Sequence, residues 1–307
     1  MDRVEVVDWR ELDIARLILL ERAADTVFIG RQIEDNGFGR IFGGQILAQA
    51  LAAIAHTLAP DRPIHALQLM FCASGRLDKP VRYAVQALSD GATTSVRSLR
   101  IEQGGRILCV ATASARQPSA AFEHNEPLSR PVSGPEYHAD AATLVERHRV
   151  EMGGHALERV ALKSAIEVRL VDAPRHLADP PPGGDGGPVH FWVRSPRPLP
   201  DDPMAHQCAV AYLTDYILAH VPPRQVMSYP ATKGLAAASV NHALWFYRPL
   251  RADEWLLVEV CSPVATAGRG LATAKVYDGQ HRVAAVTTQE FVYSASGLRG
   301  KDPGFHG

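Results

Sequence analysis

The sequence contains little cysteine and almost no net charge. Its 307 residues include four cysteines, each in an apolar stretch and none in a Cys-x-x-Cys pair: Cys72, Cys109, Cys208 and Cys261. We therefore expect buried, reduced thiols rather than a disulfide framework. The formal net charge of −1 argues against a broad electrostatic attraction to nucleic acid or to acidic membranes.

Long hydrophobic runs are also missing. The best candidate for a membrane span, Cys208–Val221, is interrupted by Asp215 and His220, and the segment Met1–Arg10 lacks the apolar core of a signal peptide. We expect a cytoplasmic protein without a membrane span. Hydrophobic residues make up 46% of the chain and charged residues 21%, as in globular proteins, and the length is sufficient for two domains with sizeable cores.

In the first half of the chain, one helix precedes a series of strands. The glycine-rich segment Gly37–Gln45 leads into an alanine- and leucine-rich helix over Ile46–Leu58. This helix is apolar on nearly all sides, which favours a buried position. A short leading helix over Trp9–Arg22 is predicted before it, and four strands after it: Ile64–Phe71, Val81–Ser89, Ser95–Glu102 and Arg106–Ala115.

The second half repeats this order after a connector rich in proline, glycine and polar residues. The repeat supports an internal duplication, because Phe71 corresponds to Phe246 (offset 246 − 71 = 175) and Arg97 to Arg269 (offset 269 − 97 = 172). The predicted elements are a connector strand Ala165–Asp172, a strand Phe191–Arg194, a buried helix Met204–Val221, and strands Val240–Arg248, Trp255–Cys261, Arg269–Val276 and Arg282–Tyr293.

Three polar residues of the second half have side chains that can together hold one water molecule. Asp215 lies on the predicted helix, Ser239 opens a strand, and Gln289 lies in the apolar final strand. A carboxylate can accept a proton from water while a hydroxyl and an amide orient it. Since no soft ligands lie nearby, a transition metal is not favoured. The pattern indicates hydrolysis without a metal or cofactor.

Each of these residues also has a simpler structural explanation. Asp215 is explained by a solvent-facing stripe of its helix, Ser239 by backbone capping, and Gln289 by exposure to solvent. The helix around Asp215 has few other polar positions, and an unpaired buried carboxylate is costly, which favours a functional role. Ser239 is not favoured as a nucleophile, because no Gly-x-Ser-x-Gly elbow is present.

Four stretches of the sequence make the chain resemble the acyl-CoA thioesterase II family. They are Phe42–Leu51, Phe191–Arg194 with Leu199–Asp202, Ser239–Pro249 with Ala252–Leu257, and Thr288–Glu290. The resemblance implies an α+β double hotdog, in which two helix-wrapped antiparallel sheets are fused in one chain. The expected domains are an N-terminal hotdog over 1–117, a connector over 118–188, and a C-terminal hotdog over 189–300 that carries the catalytic residues.

The resemblance also implies roles for individual residues. It implies that Asp215, Ser239 and Gln289 hold the water that hydrolyses fatty acyl-CoA to free fatty acid and CoA, a reaction of lipid metabolism. Ser239 stands where the family commonly has threonine, which keeps the hydroxyl, and Asn241 stands where it commonly has aspartate. Ala73–Arg76 replaces the usual Arg-Pro-Gly-Asp, so the substrate contacts of this loop are expected to differ.

Further residues are predicted to contact the substrate. Gly43, Gly44 and Gln45 open the first long helix, where backbone N–H groups can stabilise a thioester oxyanion, although tight packing alone also explains the glycines. Arg97 and Arg269 are predicted to meet CoA phosphates. His242 is predicted to be structural and to support the site from behind.

Two other functions remain open. A hotdog enoyl-CoA hydratase would need an Asp-x-Asn-x-x-His string, which the sequence lacks. A non-catalytic acyl-CoA-binding sensor would not need all three polar residues. Beside the acyl-CoA substrate, no nucleic acid or metal is expected as a partner, and sheet edges predict a homo-oligomer, either a dimer or a tetramer.

Overall fold

One large antiparallel sheet dominates the fold. The computed structural model describes residues 4–120, 122–152, 161, 163–171, 187–228, 230–232 and 234–294. The thirteen strands of the sheet follow the order β2 (Glu21–Ala24), β3 (Val27–Gly30), β6 (Val81–Asp90), β7 (Thr94–Gln103), β8 (Arg106–Arg116), β5 (Ile64–Phe71), β12 (Asn241–Phe246), β15 (Val283–Ser294), β14 (Arg269–Tyr277), β13 (Leu256–Thr266), β10 (Val189–Arg194) and β9 (Glu167–Leu170), with β11 (Ala236–Ser239) also paired to β15. Strands β1 (Glu5–Val7) and β4 (Gln32–Glu34) form a separate parallel pair.

Corresponding strands of the two halves follow each other in the same order from each edge of the sheet to its centre. The order β3-β6-β7-β8-β5 in the first half corresponds to β10-β13-β14-β15-β12 in the second. The halves join through the antiparallel pair β5–β12, where Leu67 lies opposite Leu244 and Met70 opposite Asn241. The architecture is the predicted double hotdog, and its strand order reflects the repeat in the sequence.

Two long helices pack in the interior. The first central helix, Gly43–Ala55, is buried at every position from Gly44 to Ile54, as its apolar sequence predicts. The second central helix, Pro203–Leu218, starts at a favourable cap, because Asp202 accepts a hydrogen bond from the Met204 amide at 3.0 Å and proline occupies the first turn. The shorter helices are Ile14–Leu17, Ala141–Arg147, Arg149–Met152 and Val221–Arg224, with 3₁₀ turns at Pro135–Tyr137 and Pro230–Thr232.

Several elements differ from the sequence prediction. The leading helix covers only Ile14–Leu17, because the chain already turns into strand β2 at Glu21. Ser239 ends strand β11 rather than opening a strand. The connector strand is confirmed as Glu167–Leu170, and the predicted end at Asp172 lies outside the described residues. Strands β1–β4 are not among the predicted elements, because they are only three or four residues long and too short to show an alternating pattern.

The cysteines are all free thiols. Cys109 and Cys208 are buried, and burial raises the pKa of both thiols, which keeps them protonated. Cys261 is half-buried. The prediction of burial is wrong for Cys72, which is exposed because it follows the last residue of β5, where the chain leaves the sheet. None of the helices in the described ranges is long and apolar enough to cross a membrane.

Gly44 lies where the two central helices approach each other closely. A Cβ atom at this position would lie 2.7 Å from the Tyr212 carbonyl oxygen, and still closer to the Phe42 ring. The carbonyl belongs to the backbone of the second central helix, so it cannot move aside alone. Glycine at this position therefore sets the spacing of the two helices.

The variant Gly44→Ala tests this spacing. We expect the free energy of unfolding to fall by about 2 kcal/mol, because overpacking outweighs the gain in helix propensity. Urea denaturation measures the change. The matched control is Gly279→Ala in the β14–β15 turn, where a Cβ would meet no atom within 4 Å. Equal unfolding midpoints for the two variants would contradict the close approach.

Candidate active site

The structure brings Asp215, Ser239 and Gln289 together around one amide group. Gln289 Nε2 donates to Asp215 Oδ1 at 2.6 Å and to Ser239 Oγ at 2.8 Å. We call these three residues the polar trio. Asp215 comes from the C-terminal part of the second central helix, Ser239 from the end of β11, and Gln289 from the middle of β15. Three elements that are distant in sequence thus form one hydrogen-bonded cluster.

Strand pairing explains how two members of the polar trio meet. Along β15, the alternating residues Ala285, Thr287, Gln289 and Phe291 are buried, because a strand directs every second side chain to the same face. Ser239 pairs with Phe291 in the antiparallel β11–β15 ladder, two residues from Gln289. The hydroxyl and the amide therefore lie side by side on the face that looks toward the helices.

The amide oxygen of Gln289 has no hydrogen-bond partner among the described residues, although it is buried. Leaving a buried acceptor unsatisfied costs about 1–3 kcal/mol. The polar trio thus contains a buried carboxylate, a half-buried hydroxyl and a spare, buried amide acceptor in one cluster. This set can accept both protons of a water molecule and also orient its oxygen.

His242 lies behind Asp215 and is almost completely buried. The hydroxyls of Thr214 and Thr287 lie 3.3 and 2.8 Å from its Nε2 atom, and both donate their own protons to backbone carbonyls. Nε2 must therefore carry the hydrogen that these hydroxyls accept. This arrangement directs Nδ1 toward Asp215 Oδ1, at 3.8 Å. Among the described residues Nδ1 has no hydrogen-bond partner, so His242 packs behind the carboxylate without a hydrogen bond to any member of the polar trio.

The start of the first central helix lies against the Asp215 carboxylate. A Cβ atom at Gly43 would lie 2.8 Å from Asp215 Oδ2 and 3.2 Å from the Phe71 ring. The first N–H groups of a helix lack intrahelical acceptors and carry partial positive charge. No side chain caps this helix, because Phe42 occupies the N-cap position. The site is therefore assembled from both halves of the chain.

The side chain of Gln45 is fully used within the protein. Its Oε1 accepts the Glu34 amide at 2.7 Å, and its Nε2 donates to the Gln32 carbonyl at 2.7 Å. Only its backbone N–H is left for a substrate. The predicted contribution of Gln45 is consequently restricted to the first turn of the helix, beside Gly43 and Gly44.

The two arginines predicted to bind CoA phosphates have different surroundings. Arg97 is buried beyond the far end of the first central helix, where it donates to the Thr57 carbonyl at 3.0 Å and pairs with Asp90 at 2.9 Å. The helix separates it from the polar trio by roughly 20 Å, so the structure does not bring Arg97 to the site. Arg269 is more than half exposed and pairs with Glu290 at 2.9 Å.

Two buried charged residues close to the site have no recognisable signal in the sequence. Glu34 ends a three-residue strand, and Lys163 comes from the connector. A glutamate directly before a glycine-rich segment usually faces solvent. Neither here nor elsewhere in the described part of the chain is a group of three or more His, Cys, Asp or Glu side chains arranged to hold a metal ion.

Two family models match the chain. The acyl-CoA thioesterase N-terminal domain matches residues 34–117, and the acyl-CoA thioesterase C-terminal domain matches residues 136–293. Acyl-CoA thioesterase 2 of Haemophilus influenzae is 30% identical over 281 residues, which cover 91% of this chain and 96% of that protein. The chain belongs to the acyl-CoA thioesterase II family. Acyl-coenzyme A thioesterase 8 of Mus musculus, another relative, is 29% identical over 93% of this chain and 90% of its own length.

Solved structures agree with this membership. Acyl-CoA thioesterase II TesB2 from Mycobacterium marinum superposes with a TM-score of 0.73 at 28% identity and covers 92% of this chain and 98% of its own. A hot dog fold protein from Alicyclobacillus acidocaldarius shares the fold, with a TM-score of 0.69 at 18% identity over 92% of this chain and 97% of its own. As a member of the acyl-CoA thioesterase II family, the protein is an acyl-CoA thioester hydrolase.

The variant Gly43→Ala tests the contact between the first central helix and Asp215. The added methyl group must displace the carboxylate, and a misplacement of about 1 Å can cost roughly 10²-fold in turnover. We expect a fall in kcat of that order in an acyl-CoA hydrolysis assay, with an unfolding midpoint near that of the wild type. Gly279→Ala again serves as control. Wild-type kcat in Gly43→Ala would show that the carboxylate at this position is not used.

Proposed function

We propose that the enzyme hydrolyses fatty acyl-CoA to free fatty acid and CoA through a water molecule held by Asp215, Ser239 and Gln289. The observation that carries this proposal is the position of Gln289. Its Nε2 joins the carboxylate to the hydroxyl, while its buried Oε1 has no partner among the described residues. A water bound beside the polar trio satisfies Oε1 and comes within reach of Asp215.

In this mechanism the water oxygen attacks the thioester carbonyl carbon, and Asp215 accepts the proton that the water loses. Ser239 orients the water, and Gln289 holds the carboxylate and the hydroxyl in place through its two N–H bonds. The tetrahedral intermediate then expels CoA as a thiolate. Because a thiolate leaves readily, the reaction needs no strong general acid.

The start of the first central helix is suited to stabilise the negative oxygen of that intermediate. Its first-turn N–H groups, at Gly43 and Gly44, lie beside the Asp215 carboxylate, and the absence of side chains lets a substrate carbonyl approach the backbone. In this role the N-terminal half supplies the oxyanion site, and the C-terminal half supplies the base and the water.

A serine nucleophile is the main mechanistic alternative. It would require a general base hydrogen-bonded to Ser239. Among the described residues, the hydrogen bond of the Ser239 side chain is with the Gln289 amide, and the neighbouring His242 is occupied by Thr214 and Thr287. The geometry therefore favours direct attack by water.

Asp215→Asn tests the general base with almost no change in shape. We expect kcat to fall by a factor of about 10²–10⁴, the usual range for loss of a general base, in a thiol-release assay with a series of acyl-CoA chain lengths. The matched control is Asp202→Asn on the same helix, since asparagine caps a helix as well as aspartate does. Wild-type turnover in Asp215→Asn would show that the assignment of the base is wrong. A wild-type protein that binds acyl-CoA but releases no thiol would show that the protein is a sensor.

Ser239→Thr and Ser239→Ala test the role of the hydroxyl. Threonine keeps the oxygen, so we expect activity close to that of the wild type. Alanine removes one of the groups that orient the water, and we expect a partial loss of roughly 10-fold in kcat, smaller than for the base. Mass spectrometry during turnover should detect no acyl-enzyme. An acyl group on Ser239 would establish the nucleophilic mechanism instead.

A further inference from the structure

Glu34 is a completely buried carboxylate that connects the two halves of the molecule. Its Oε2 accepts the Tyr212 hydroxyl at 2.8 Å, and its Oε1 accepts the Tyr216 hydroxyl at 2.9 Å. The Lys163 ammonium also donates to Oε1. Both tyrosines belong to the second central helix, so the side chain of one N-terminal residue holds that helix through two hydrogen bonds.

Lys163 brings a positive charge from the connector into this interior. Its Nζ atom lies 3.8 Å from the centre of the Tyr216 ring and 4.5 Å from that of Phe42, distances at which cation–π attraction is effective. Phe42 is the N-cap residue of the first central helix. The ammonium therefore contacts residues from both central helices as well as the carboxylate.

The two charges depend on each other. Burial raises the pKa of Glu34 well above its usual range, an effect that the hydrogen bond from Tyr212 partly offsets. Burial likewise lowers the pKa of Lys163 well below its usual range. Removing one partner leaves the other as an uncompensated buried charge or forces it into the neutral form, and either change disturbs the hydrogen bonds to the tyrosines more than removing both charges does.

The backbone of Glu34 contacts the start of the first central helix. Its N–H donates to the Gln45 side chain at 2.7 Å, and its carbonyl accepts the Phe42 amide at 3.2 Å. Its side chain holds Tyr216, which is adjacent to Asp215 in the sequence. Glu34 therefore contacts both components of the site that the reaction requires to be close together.

We propose that Glu34, with Lys163 as its counter-ion, is a positioning residue that fixes the distance between the first central helix and the Asp215 carboxylate. The proposal rests on the function proposed above, in which the helix start binds the oxyanion and Asp215 activates the water. Neither Glu34 nor Lys163 touches the reacting atoms in this scheme. They act through Tyr216 on one side and through Phe42 and Gln45 on the other.

The experiment compares the single variant Lys163→Met with the double variant Glu34→Gln/Lys163→Met. The single variant leaves the buried carboxylate without a cation, and we expect kcat on acyl-CoA to fall roughly 10- to 100-fold, with KM changed by less than about 3-fold, because alignment rather than substrate binding is lost. The double variant removes both charges, and its glutamine keeps an oxygen for a tyrosine hydroxyl. We expect its kcat to return to within about 3-fold of the wild type.

Glu259→Gln is the matched control. Glu259 is also a buried glutamate that holds the connector, through the Ser129 amide at 2.9 Å, and it faces His190 at 3.1 Å. Its neighbours in β13, Val258 and Val260, belong to the main core around the helices, so Glu259 lies on the opposite face of the sheet. We expect unchanged kcat. An equal loss of kcat in this variant would overturn the proposal, since any buried glutamate would then have the same effect.

The outcomes separate the two proposals. A wild-type enzyme that fails to release thiol from any acyl-CoA contradicts the proposed function. Normal hydrolysis by the wild type together with wild-type kcat in Lys163→Met overturns the positioning role, as does a double variant with no recovery. If Lys163→Met does not fold, Tyr216→Phe removes one hydrogen bond to Glu34 without stranding a charge. Its kcat should fall with KM preserved, and an unchanged kcat would overturn the role.

Discussion

The close approach of two helix segments from different halves of the chain is the constraint on which the site depends. At Gly43 and Gly44 the first central helix has no side chains, so its backbone reaches the Asp215 carboxylate and the Tyr212 carbonyl. Asp215 stands near the C-terminal end of its own helix, where the helix dipole opposes a negative charge. The Gln289 amide and the positive start of the other helix supply the opposing attraction. The carboxylate is thus stabilised mainly by groups that lie outside its own helix.

Around this contact the polar groups form two layers. The inner layer is the polar trio, which hydrogen-bonds within itself through Gln289 and keeps one acceptor available. The outer layer consists of His242 on the sheet side and of Glu34 with Lys163 on the helix side. Buried polar networks of this kind specify one arrangement strongly, because any other arrangement leaves several donors or acceptors unpaired.

Much of the fold follows from local patterns in the sequence. The strands from Ile64 to Arg116 have alternating residues and clear turns, and the first central helix is apolar on nearly all sides, so both are predicted to within a few residues. The polar trio was recognised because a family pattern linked positions that periodicity alone cannot connect. Glu34 and Lys163 were missed for a physical reason: their burial depends on the packing of a short strand and a connector against a distant helix. The surroundings of Arg97 could not be predicted on similar grounds, since its guanidinium donates to backbone carbonyls that no sequence pattern reveals.

The strand order is symmetric about β5 and β12, but corresponding strands of the two halves carry different side chains. Strand β8 occupies the place that corresponds to β15, yet its buried positions include Cys109, Ala111, Ala113 and Ala115, where β15 has Thr287 and Gln289. In a symmetric pair of identical subunits, every substitution appears twice, and a residue must suit both of its surroundings. A fused chain is released from that requirement. In the proposed mechanism one half supplies the oxyanion site at a helix start without side chains, and the other supplies the base and the water, so each can mutate under its own selection.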